Sequence, residues 1–414
     1  MSPNIKTILA TAYAVNPYKG SEDGMGWNFI LQIARFNKVI AITRENNQGN
    51  IEKFMAENPD PLYNQITFMY YDLPPHLRWW KKGSRGALLY YQLWQRGVVN
   101  FVKKQHLTFD IAHNVNFHND WTPTFLWKLG KPLVWGPVGH HSRIPVQYLR
   151  DYAFSYKITE TFTWAIKKYF WNFSPNLKKA VRHADHILCM NKSVQKEMHL
   201  NDIPVTWMPS VAMHRPAFVK SHDDKAKFTI ISAGRLVPLK GFDLTIRAFA
   251  HFLECNPHVT DTELMIIGSG PEKSTLKEIA GNEKLGDKVK FIDWIERDTL
   301  LELYSKASVF LFPSHEGAGM VVAEALSYGL PVICLDNDGP GEFICSESGI
   351  SVPLGEYKQT TKLLGNALHT LYHDKPLYQK MSESAIKRFE AIFDWNKRGE
   401  KLNDIYQSLQ QKTL

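Results

Sequence analysis

The chain of 414 residues is long for a single hydrophobic core, and its length favours two domains of about 150 to 200 residues each. Its hydrophobic fraction of 44% and charged fraction of 22% are those of an ordinary globular protein, which excludes a mainly disordered chain. The net charge of +8 is uneven, because residues 1–206 hold 25 basic and 14 acidic side chains whereas residues 207–414 hold 24 and 27. The amino-terminal half is therefore the basic half.

The cysteine content and the apolar runs indicate a cytoplasmic protein. Only four cysteines occur, none in a CxxC pair, and three of them lie in or beside apolar runs, where a buried thiol is expected. Residues 1–15 have too short an apolar stretch and too little flanking charge for a signal peptide, and no run of about 18 apolar residues occurs. We therefore expect neither secretion nor a membrane-spanning helix.

Short β-branched runs alternate with helical patterns along the chain, which predicts an α/β fold with doubly wound parallel sheets. The predicted strands are residues 6–15, 38–43, 66–72, 110–115, 132–137 and 186–191 in the first half, and 228–235, 263–270, 289–295, 308–314 and 331–336 in the second. Two Rossmann-like units in tandem fit this rhythm best. We assign residues 1–207 to an amino-terminal domain, 208–227 to a linker, 228–395 to a carboxy-terminal domain and 396–414 to a terminal helical segment.

Polar groups follow several predicted strands of the second half, at the strand ends where open α/β sheets bind ligands. The stretch GRLVPLKG, residues 234–241, carries Arg235 and Lys240, and two cations on such a loop suit a phosphate or diphosphate. A solvated loop with two surface cations is the alternative. The stretch GSGPEK, residues 268–273, leads into a helix whose free N–H groups favour an anion, unless it is only a tight turn.

A third stretch, SHEGAGMVVAEALSYGLPVI, spans residues 314–333. Glu316 and Glu324 are eight residues apart, so a helix that begins near Gly317 places Glu324 two turns below its start, on roughly the face of Glu316. Gly317 and Gly319 leave the helix start open to a ligand. A carboxylate pair accepts hydrogen bonds from vicinal hydroxyls, as sugars and riboses present them.

With these motifs in this order, the chain resembles a retaining glycosyltransferase of family 4 with the GT-B fold, in which two Rossmann-like domains face each other across a cleft. The resemblance covers nearly the whole chain, through GSEDGMGW, WGPVG, GRLVPLKG, GSG and the HEGAG segment with its second glutamate. In this fold the terminal helix, here within residues 396–414, crosses back to complete the first domain. The GSE-x-G-x-GW loop resembles a bacterial subgroup that builds cell-surface glycans.

The resemblance implies sugar transfer from a UDP- or GDP-linked donor to a glycan or lipid-linked glycan acceptor, without a metal or another cofactor. Arg235 and Lys240 would neutralise the departing diphosphate. Glu316 would hold the hydroxyls of the transferred sugar, and Glu324 would hold the ribose. The remaining donor-binding positions that it implies are Gly20, Gly234, Gly268, Gly270, Gly317, Ala318, Gly319, Met320 and Val321.

The sequence DND, Asp336 to Asp338, resembles the metal-binding DxD motif of the other large glycosyltransferase fold. It follows the helix that carries Glu324 and the strand predicted at 331–336. We therefore interpret it as a loop turn and assign no metal.

The stretch GSEDGMGW, residues 20–27, follows the first predicted strand, so it forms a loop at the ligand-binding edge of the first domain. Its glycines indicate a sharp turn or a backbone that lies close to another group. Glu22 is a candidate ligand for acceptor hydroxyls, and a carboxylate that satisfies a helix start is the alternative. We interpret Trp27 as a core residue.

Histidines stand near two further strand ends of the first half. In WGPVGHH, residues 135–141, His140 stands where the family usually has a second glycine, which makes a close backbone approach to the ligand uncertain. His113 and His118 flank the region where the family keeps a donor-contacting histidine. We favour His118 as a catalytic residue that caps the sugar, and a buried histidine with satisfied hydrogen bonds is the alternative.

Two stretches account for the basic character of the first half. Residues 76–105 hold seven Lys or Arg, no Asp or Glu and six aromatic residues, and residues 148–182 again mix basic with aromatic residues. Such stretches suit helices at an anionic bilayer, here the inner face of the plasma membrane, and aromatic helices packed on the sheet are the alternative. On the membrane interpretation, the acceptor is linked to a lipid such as a polyprenyl diphosphate.

Two rival classes remain to be compared. A nucleotide-sugar epimerase or a phosphorylase with this fold would carry acid/base groups at the sugar or a pyridoxal lysine, and we identify neither set. A nucleic-acid binder would explain the basic half, but its charges fall on long helical stretches without a recognition motif. We therefore expect no nucleic-acid partner.

Overall fold

The computed structural model describes residues 5–81, 86–117, 119–216 and 227–409, which form two compact α/β units. Unit 1 comprises Met1–His140, Ala165–Ser210 and Trp395–Leu414, and unit 2 comprises His141–Trp164 and Val211–Asp394. Residues 217–226, half of the predicted linker, lie outside the described residues.

The strands are β1 (Thr7–Thr11), β2 (Lys38–Thr43), β3 (Ile66–Tyr70), β4 (Ile111–Asn114), β5 (Leu133–Val138), β6 (His186–Cys189), β7 (Val205–Trp207), β8 (Phe228–Ala233), β9 (Thr262–Ile267), β10 (Val289–Ile292), β11 (Val309–Phe312), β12 (Val332–Asp336) and β13 (Gly349–Pro353). The α-helices are α1 (Ser21–Ala34), α2 (Gln48–Glu57), α3 (Ala87–Lys104), α4 (Phe154–Phe173), α5 (Pro175–His183), α6 (Lys192–Glu197), α7 (Phe242–Cys255), α8 (Lys273–Asn282), α9 (Arg297–Lys306), α10 (Met320–Ser327), α11 (Pro340–Phe343), α12 (Tyr357–His373), α13 (Lys375–Ile392) and α14 (Trp395–Ser408). Among the described ranges, no helix combines the length and the apolar character that crossing a bilayer would require.

Both sheets are parallel, and each reverses its strand order once. The first runs β3-β2-β1-β4-β5-β6-β7, with Ile8 paired to Val39 on one side and to Ile111 on the other. The second runs β10-β9-β8-β11-β12-β13. The reversals lie between β1 and β4 and between β8 and β11, and such switch points open a crevice at the carboxyl ends of the strands.

The strands form close to where the sequence predicts them, and the β-branched and aromatic runs in the middle of each sheet are buried on both faces. Every residue of β11 is buried, for example. The sequence analysis did not predict strands β7 and β13. The first has only three residues, and the second ends in Pro353, which suits an edge strand that lacks a neighbour on one side.

Residues 141–164, which we call the strap, differ from the predicted domain division, since they pack with unit 2 although they lie within residues 1–207. The reason is apolar burial: Ile144, Tyr148, Leu149 and Tyr152 all lie in the hydrophobic core of unit 2. The sequence predicts these residues as part of the first domain because the composition does not change where the chain passes from unit 1 to unit 2. The described part of the terminal helix, α14, packs in unit 1.

A buried carboxylate ties the strap to unit 2. Asp243, in the first turn of α7, accepts hydrogen bonds from the hydroxyls of Tyr152 (2.5 Å) and Tyr357 (2.7 Å). Arg247 donates to the Tyr357 hydroxyl at 2.5 Å and pairs with Asp151 of the strap at 2.8 Å. Burial raises the pKa of Asp243, and these donors oppose the rise.

We expect Tyr152→Phe to lower the free energy of unfolding by about 1 to 3 kcal/mol, because one oxygen of buried Asp243 loses its donor. Urea denaturation monitored by circular dichroism measures this change. Tyr169→Phe is the control, since Tyr169 is 60% exposed and should be replaceable without loss. Equal midpoints for the Tyr152 variant and the wild type would contradict the role of this network.

Candidate active site

An ion pair joins the loops that follow β8 and β11, across the reversal of the second sheet. The Lys240 ammonium lies 2.6 and 2.7 Å from the two carboxylate oxygens of Glu316. Both side chains are largely buried, with exposed fractions of 17% and 13%. The ammonium also lies 5.1 Å from the centre of the Phe312 ring, where a cation is attracted to the aromatic face. The structure thus brings together two of the predicted catalytic residues.

Backbone contacts fix these two loops against each other. The amide of His315 donates to the Leu239 carbonyl at 2.8 Å, and the Ser314 hydroxyl donates to the same oxygen at 3.1 Å. Gly241 has φ +66°, and a Cβ atom there would lie 2.1 Å from the Pro313 carbonyl oxygen. Only glycine therefore permits the approach that carries Lys240 to Glu316.

Burial raises the pKa of Glu316, and the adjacent Lys240 ammonium opposes that rise. Burial likewise lowers the pKa of His315 to about 4, so its ring is neutral near pH 7. The site therefore holds a preformed cation and a carboxylate in a place with little water. Such preorganised charges interact strongly with a ligand that carries both negative charge and hydroxyl groups.

Glu324 lies in the second turn of α10 and pairs with a different cation. Its carboxylate accepts from the Arg297 Nε at 3.0 Å, and burial raises its pKa while Arg297 opposes the rise. The helix begins at Met320, three residues after the predicted start near Gly317, because Gly317 to Gly319 remain in the loop. Arg297 was not predicted as a site residue. Its position just after β10, at the sheet edge that carries the other site residues, is the feature of the sequence that could have indicated it.

Two of the glycines predicted to bind the donor, Gly268 and Gly270, lie close to neighbouring backbone. A Cβ atom at Gly268 would lie 2.0 Å from the Gly234 carbonyl oxygen, and one at Gly270 would lie 2.3 Å from that of Leu236. The loops after β8 and β9 therefore require these glycines for their own packing. Arg235 lies on the loop after β8, and its side chain is exposed.

The amides that precede and begin α10 include groups without acceptors inside the helix, as at any helix start. Ala318, Met320 and Val321 are partly exposed, whereas Gly317 and Gly319 are buried. The structure thus leaves this helix start accessible next to Glu316, whose carboxylate oxygen would lie 3.2 Å from a Cβ atom at Gly319.

The DND sequence forms a loop that supports the HEGAG segment. The Asn337 side chain donates to the Ser314 carbonyl at 2.6 Å and accepts from the amides of Gly339 (3.2 Å) and Gly341 (3.4 Å). This is the turn chemistry expected of asparagine. Within the ranges that the structure describes, no group of three or more His, Cys, Asp or Glu side chains is arranged to hold a metal ion.

In unit 1, the GSEDGMGW stretch is the start of α1, with Gly20 at the N-cap position and Glu22 in the first turn. Burial raises the pKa of Glu22 to about 6, and a hydrogen bond with the Phe117 backbone opposes the rise. A Cβ atom at Gly20 would meet no other atom within 4 Å, whereas one at Gly26 would lie 2.1 Å from the Ala14 carbonyl oxygen. Trp27 is buried, as expected.

The histidines of unit 1 differ in what they contact. His118 lies outside the described residues. His113 is fully buried between the Tyr406 hydroxyl (2.7 Å) and the Gly136 carbonyl (2.8 Å), and burial lowers its pKa to about 4. His140 is buried beside Asp120, with 2.7 Å between Nδ1 and a carboxylate oxygen. His113 thus fits the alternative interpretation, that of a buried histidine whose two ring nitrogens both have hydrogen-bond partners.

Comparison with known proteins locates sequence similarity in the second half. Residues 215–388 match the family model described as glycosyl transferases group 1. The chain is 31% identical over 183 residues to a GDP-mannose-dependent monoacylated alpha-(1-6)-phosphatidylinositol monomannoside mannosyltransferase from Corynebacterium glutamicum, covering 42% of this chain and 45% of that protein. It is 30% identical over 182 residues to a D-inositol 3-phosphate glycosyltransferase from Streptomyces bingchenggensis, covering 42% and 39%. The chain thus spans less than half the length of either relative.

Solved structures resemble the fold over nearly the whole chain. Sucrose-phosphate synthase from Thermosynechococcus elongatus has a TM-score of 0.63 at 18% identity, with 97% of this chain and 98% of that one covered. HepE from Anabaena, in complex with UDP, has a TM-score of 0.63 at 15% identity, with 98% and 100% covered. The predicted fold class, a GT-B arrangement of two Rossmann-like α/β units, is confirmed.

We expect Lys240→Met to lower the free energy of unfolding by roughly 3 kcal/mol at pH 8, because it leaves the Glu316 carboxylate buried without its cation. The unpaired Glu316 then has a pKa in the folded state above its unfolded value. Its protonated form favours the fold at low pH, and that contribution is lost as the pH rises through the folded pKa. The defect should therefore shrink toward pH 5 in urea denaturation.

The double variant Lys240→Met/Glu316→Gln is the matched control for this prediction, since it removes both charges and should recover most of the stability. A defect of the same size at pH 5 and pH 8 would show that lost packing, rather than an unpaired carboxylate, explains the effect.

Proposed function

We propose that this protein is a retaining glycosyltransferase of family 4, in the bacterial subgroup with a GSE-x-G-x-GW loop. It moves a sugar from a nucleotide-diphosphate-sugar donor to a glycan or lipid-linked glycan acceptor in the synthesis of cell-surface polysaccharide. The observation that carries this proposal is the contact between Lys240 and Glu316 beside the start of α10. A diphosphate, a sugar and helix amides are the groups that such a combination can bind together.

The location of the pair supports the same proposal. Lys240 follows β8 and Glu316 follows β11, and these strands flank the switch point of the second sheet, where doubly wound folds bind nucleotides. Similarity to known glycosyltransferases is also concentrated here, over residues 215–388. The relative from Corynebacterium is named for GDP-mannose, and HepE was solved with UDP. Both nucleotides are therefore donor candidates.

The proposed reaction breaks the bond between the anomeric carbon of the sugar and the diphosphate oxygen. The anomeric carbon forms its new bond to an acceptor oxygen on the same face, and the acceptor proton passes to the departing diphosphate. Negative charge grows on that diphosphate, where Lys240, Arg235 and the amides at the start of α10 would stabilise it. No metal ion or other cofactor enters this scheme.

The carboxylates take separate roles in this proposal. Glu316 would accept hydrogen bonds from the hydroxyls of the transferred sugar, and Glu324 would accept them from the ribose. The pairing with Arg297 opposes the rise that burial causes in the pKa of Glu324, and carboxylate oxygens accept hydrogen bonds from hydroxyls. His118 would cap the sugar.

For the acceptor, Glu22 stays our candidate ligand. Its place in the first turn of α1 also suits the alternative of a carboxylate at a helix start. A pKa of about 6, raised by burial, leaves Glu22 mostly ionised near pH 7 and able to accept from an acceptor hydroxyl. The open space at Gly20 is compatible with a ligand close to this loop.

The proposed acceptor lipid implies contact with an anionic membrane at the inner face of the plasma membrane, and helix α4 supports this part of the proposal. Five large side chains on α4 are 55% to 75% exposed, at spacings of four and seven residues that place them on one face. They are Phe154, Ile158, Phe162, Tyr169 and Phe173. Exposed Lys168 lies on the same helix, and Lys178 and Lys179 lie on α5. Apolar side chains beside lysines suit an anionic bilayer.

The other basic stretch, residues 76–105, supports a membrane contact less well. Tyr90, Tyr91 and Trp94 of α3 are buried in the core of unit 1, as the alternative interpretation of this stretch expects. Among the described residues of this stretch, Leu77, Trp79 and Leu89 are exposed, by 46%, 76% and 56%. We therefore place the proposed membrane contact on α4.

Glu316→Ala and Lys240→Ala should each reduce sugar transfer about 100-fold or more, since each removes a group that stabilises the donor or its departing diphosphate. The assay combines UDP- and GDP-sugars with lipid-linked acceptors and measures release of the nucleoside diphosphate and formation of the glycan. Acceptor-dependent release supports transfer, whereas a changed donor sugar without release would identify an epimerase. Glu302→Ala and Lys306→Ala, an exposed ion pair on α9, are matched controls. Full activity of either site variant would refute the site.

The triple variant Phe154→Ser/Ile158→Ser/Phe162→Ser should bind phosphatidylglycerol vesicles about tenfold or more weakly than the wild type, because these exposed side chains supply the apolar contact. Co-sedimentation with vesicles measures the bound fraction, which should also fall as salt rises. Trp294→Ser is the control, since Trp294 is 67% exposed but lies on the loop after β10. Vesicle binding that survives the triple substitution would exclude α4 as the contact surface.

A further inference from the structure

The first residue of the strap makes a hydrogen bond into the HEGAG segment. The amide of Gly317 donates to Nδ1 of the His141 ring at 2.8 Å. The next strap residue, Ser142, donates its hydroxyl to the Asp338 carboxylate. Both contacts lie within unit 2, although His141 directly follows the last residue of a unit 1 segment.

This bond acts on the peptide that joins Glu316 to Gly317. A peptide unit is planar, so holding its N–H fixes the orientation of the whole unit, including the carbonyl of Glu316. A Cβ atom at Gly339 would lie 2.0 Å from that carbonyl oxygen, so the 336–341 loop closes on the same peptide from another side. Asn337 in turn bonds the Ser314 carbonyl at 2.6 Å.

The direction of the Glu316 side chain depends on this peptide. Its carboxylate faces Lys240 through both oxygens, at 2.6 and 2.7 Å, a geometry that tolerates little backbone rotation. Gly317 has no side chain to restrict its own backbone, and Gly319 follows two residues later. A loop this rich in glycine needs outside contacts to hold one conformation.

From these contacts we infer that His141 is a positioning residue for donor recognition. Its ring holds the Gly317 amide and thereby fixes Glu316 in the orientation that meets the donor sugar. The inference rests on the proposed function, because it names a residue that prepares the same site. It also removes the Gly317 amide from the groups that contact the donor directly and leaves that role to the amides that follow.

The test compares two substitutions of His141. His141→Asn offers an amide oxygen at about the position of Nδ1, so it can keep the acceptor for Gly317. His141→Ala removes the acceptor. We expect kcat/KM for the donor to fall about tenfold in His141→Ala, the effect of one lost hydrogen bond, and to stay within about threefold of wild type in His141→Asn. His258→Ala, an exposed histidine of unit 2, is the control.

Hydrogen–deuterium exchange of the Gly317 amide gives a second readout that needs no donor. The amide should exchange more slowly in the wild type and in His141→Asn than in His141→Ala. An alanine variant with unchanged kcat/KM would overturn the inference, and so would tighter donor binding, which would mean that the ring competes with the donor for the amide. A wild type without any transfer activity would refute the proposed function alone. Calorimetric binding of UDP- and GDP-sugars would then test His141: weaker binding in His141→Ala than in the wild type and His141→Asn would support the inference, and equal binding by all three would overturn it.

Discussion

The ion pair of Lys240 and Glu316 needs both loops of the switch point in one exact arrangement. Removing two charges from water costs several kcal/mol for each ion, and only close geometry with further support recovers that cost. The surrounding contacts supply this support. Gly241 permits the loops to touch, the Leu239 carbonyl binds two donors of the opposite loop, and Phe312 lies against the ammonium. Much of the local sequence is therefore explained by the need to keep two charges in contact.

Around this pair the support is arranged in layers. Asn337 holds the 336–341 loop against Ser314, and the strap contacts the HEGAG segment through His141. Further from the pair, Asp243 accepts hydrogen bonds from one tyrosine of the strap and one of α12. Asp243 is buried and Asn337 and His141 are half-buried, and each has its hydrogen-bond partners in place, which is the condition under which such groups specify a single structure.

The strands other than β7 and β13 could be predicted from the sequence, because each is a short apolar run with a turn signal at its end. The helix carrying Glu324 could be predicted too, but its start could not be located, because glycine permits both loop and helix at residues 317–319. The sequence could not predict that Lys240 and Glu316 are in contact. The two residues are 76 positions apart, and only the order of the strands brings them together.

Other parts of the site left weaker traces in the sequence. Arg297 stands in an ordinary helix start, so nothing local marks it as the partner of Glu324. The glycines of the GSG stretch predict a ligand nearby, and the structure shows that Gly268 and Gly270 are also required by the packing of neighbouring backbone. A glycine-rich stretch predicts that the backbone lies close to another group, but it does not identify that group. The sequence therefore could not distinguish a ligand from neighbouring backbone at these positions.

The strap has a consequence for isolating the second half of the protein. The family match covers residues 215–388, yet the core of unit 2 includes Tyr148 and Tyr152, which lie far upstream of that range. A fragment cut at the limits of the match would present an open apolar surface and an Asp243 without one of its donors. Sequence similarity therefore outlines an evolutionary module that is smaller than the folding unit, and any dissection of this protein has to carry residues 141–164 along.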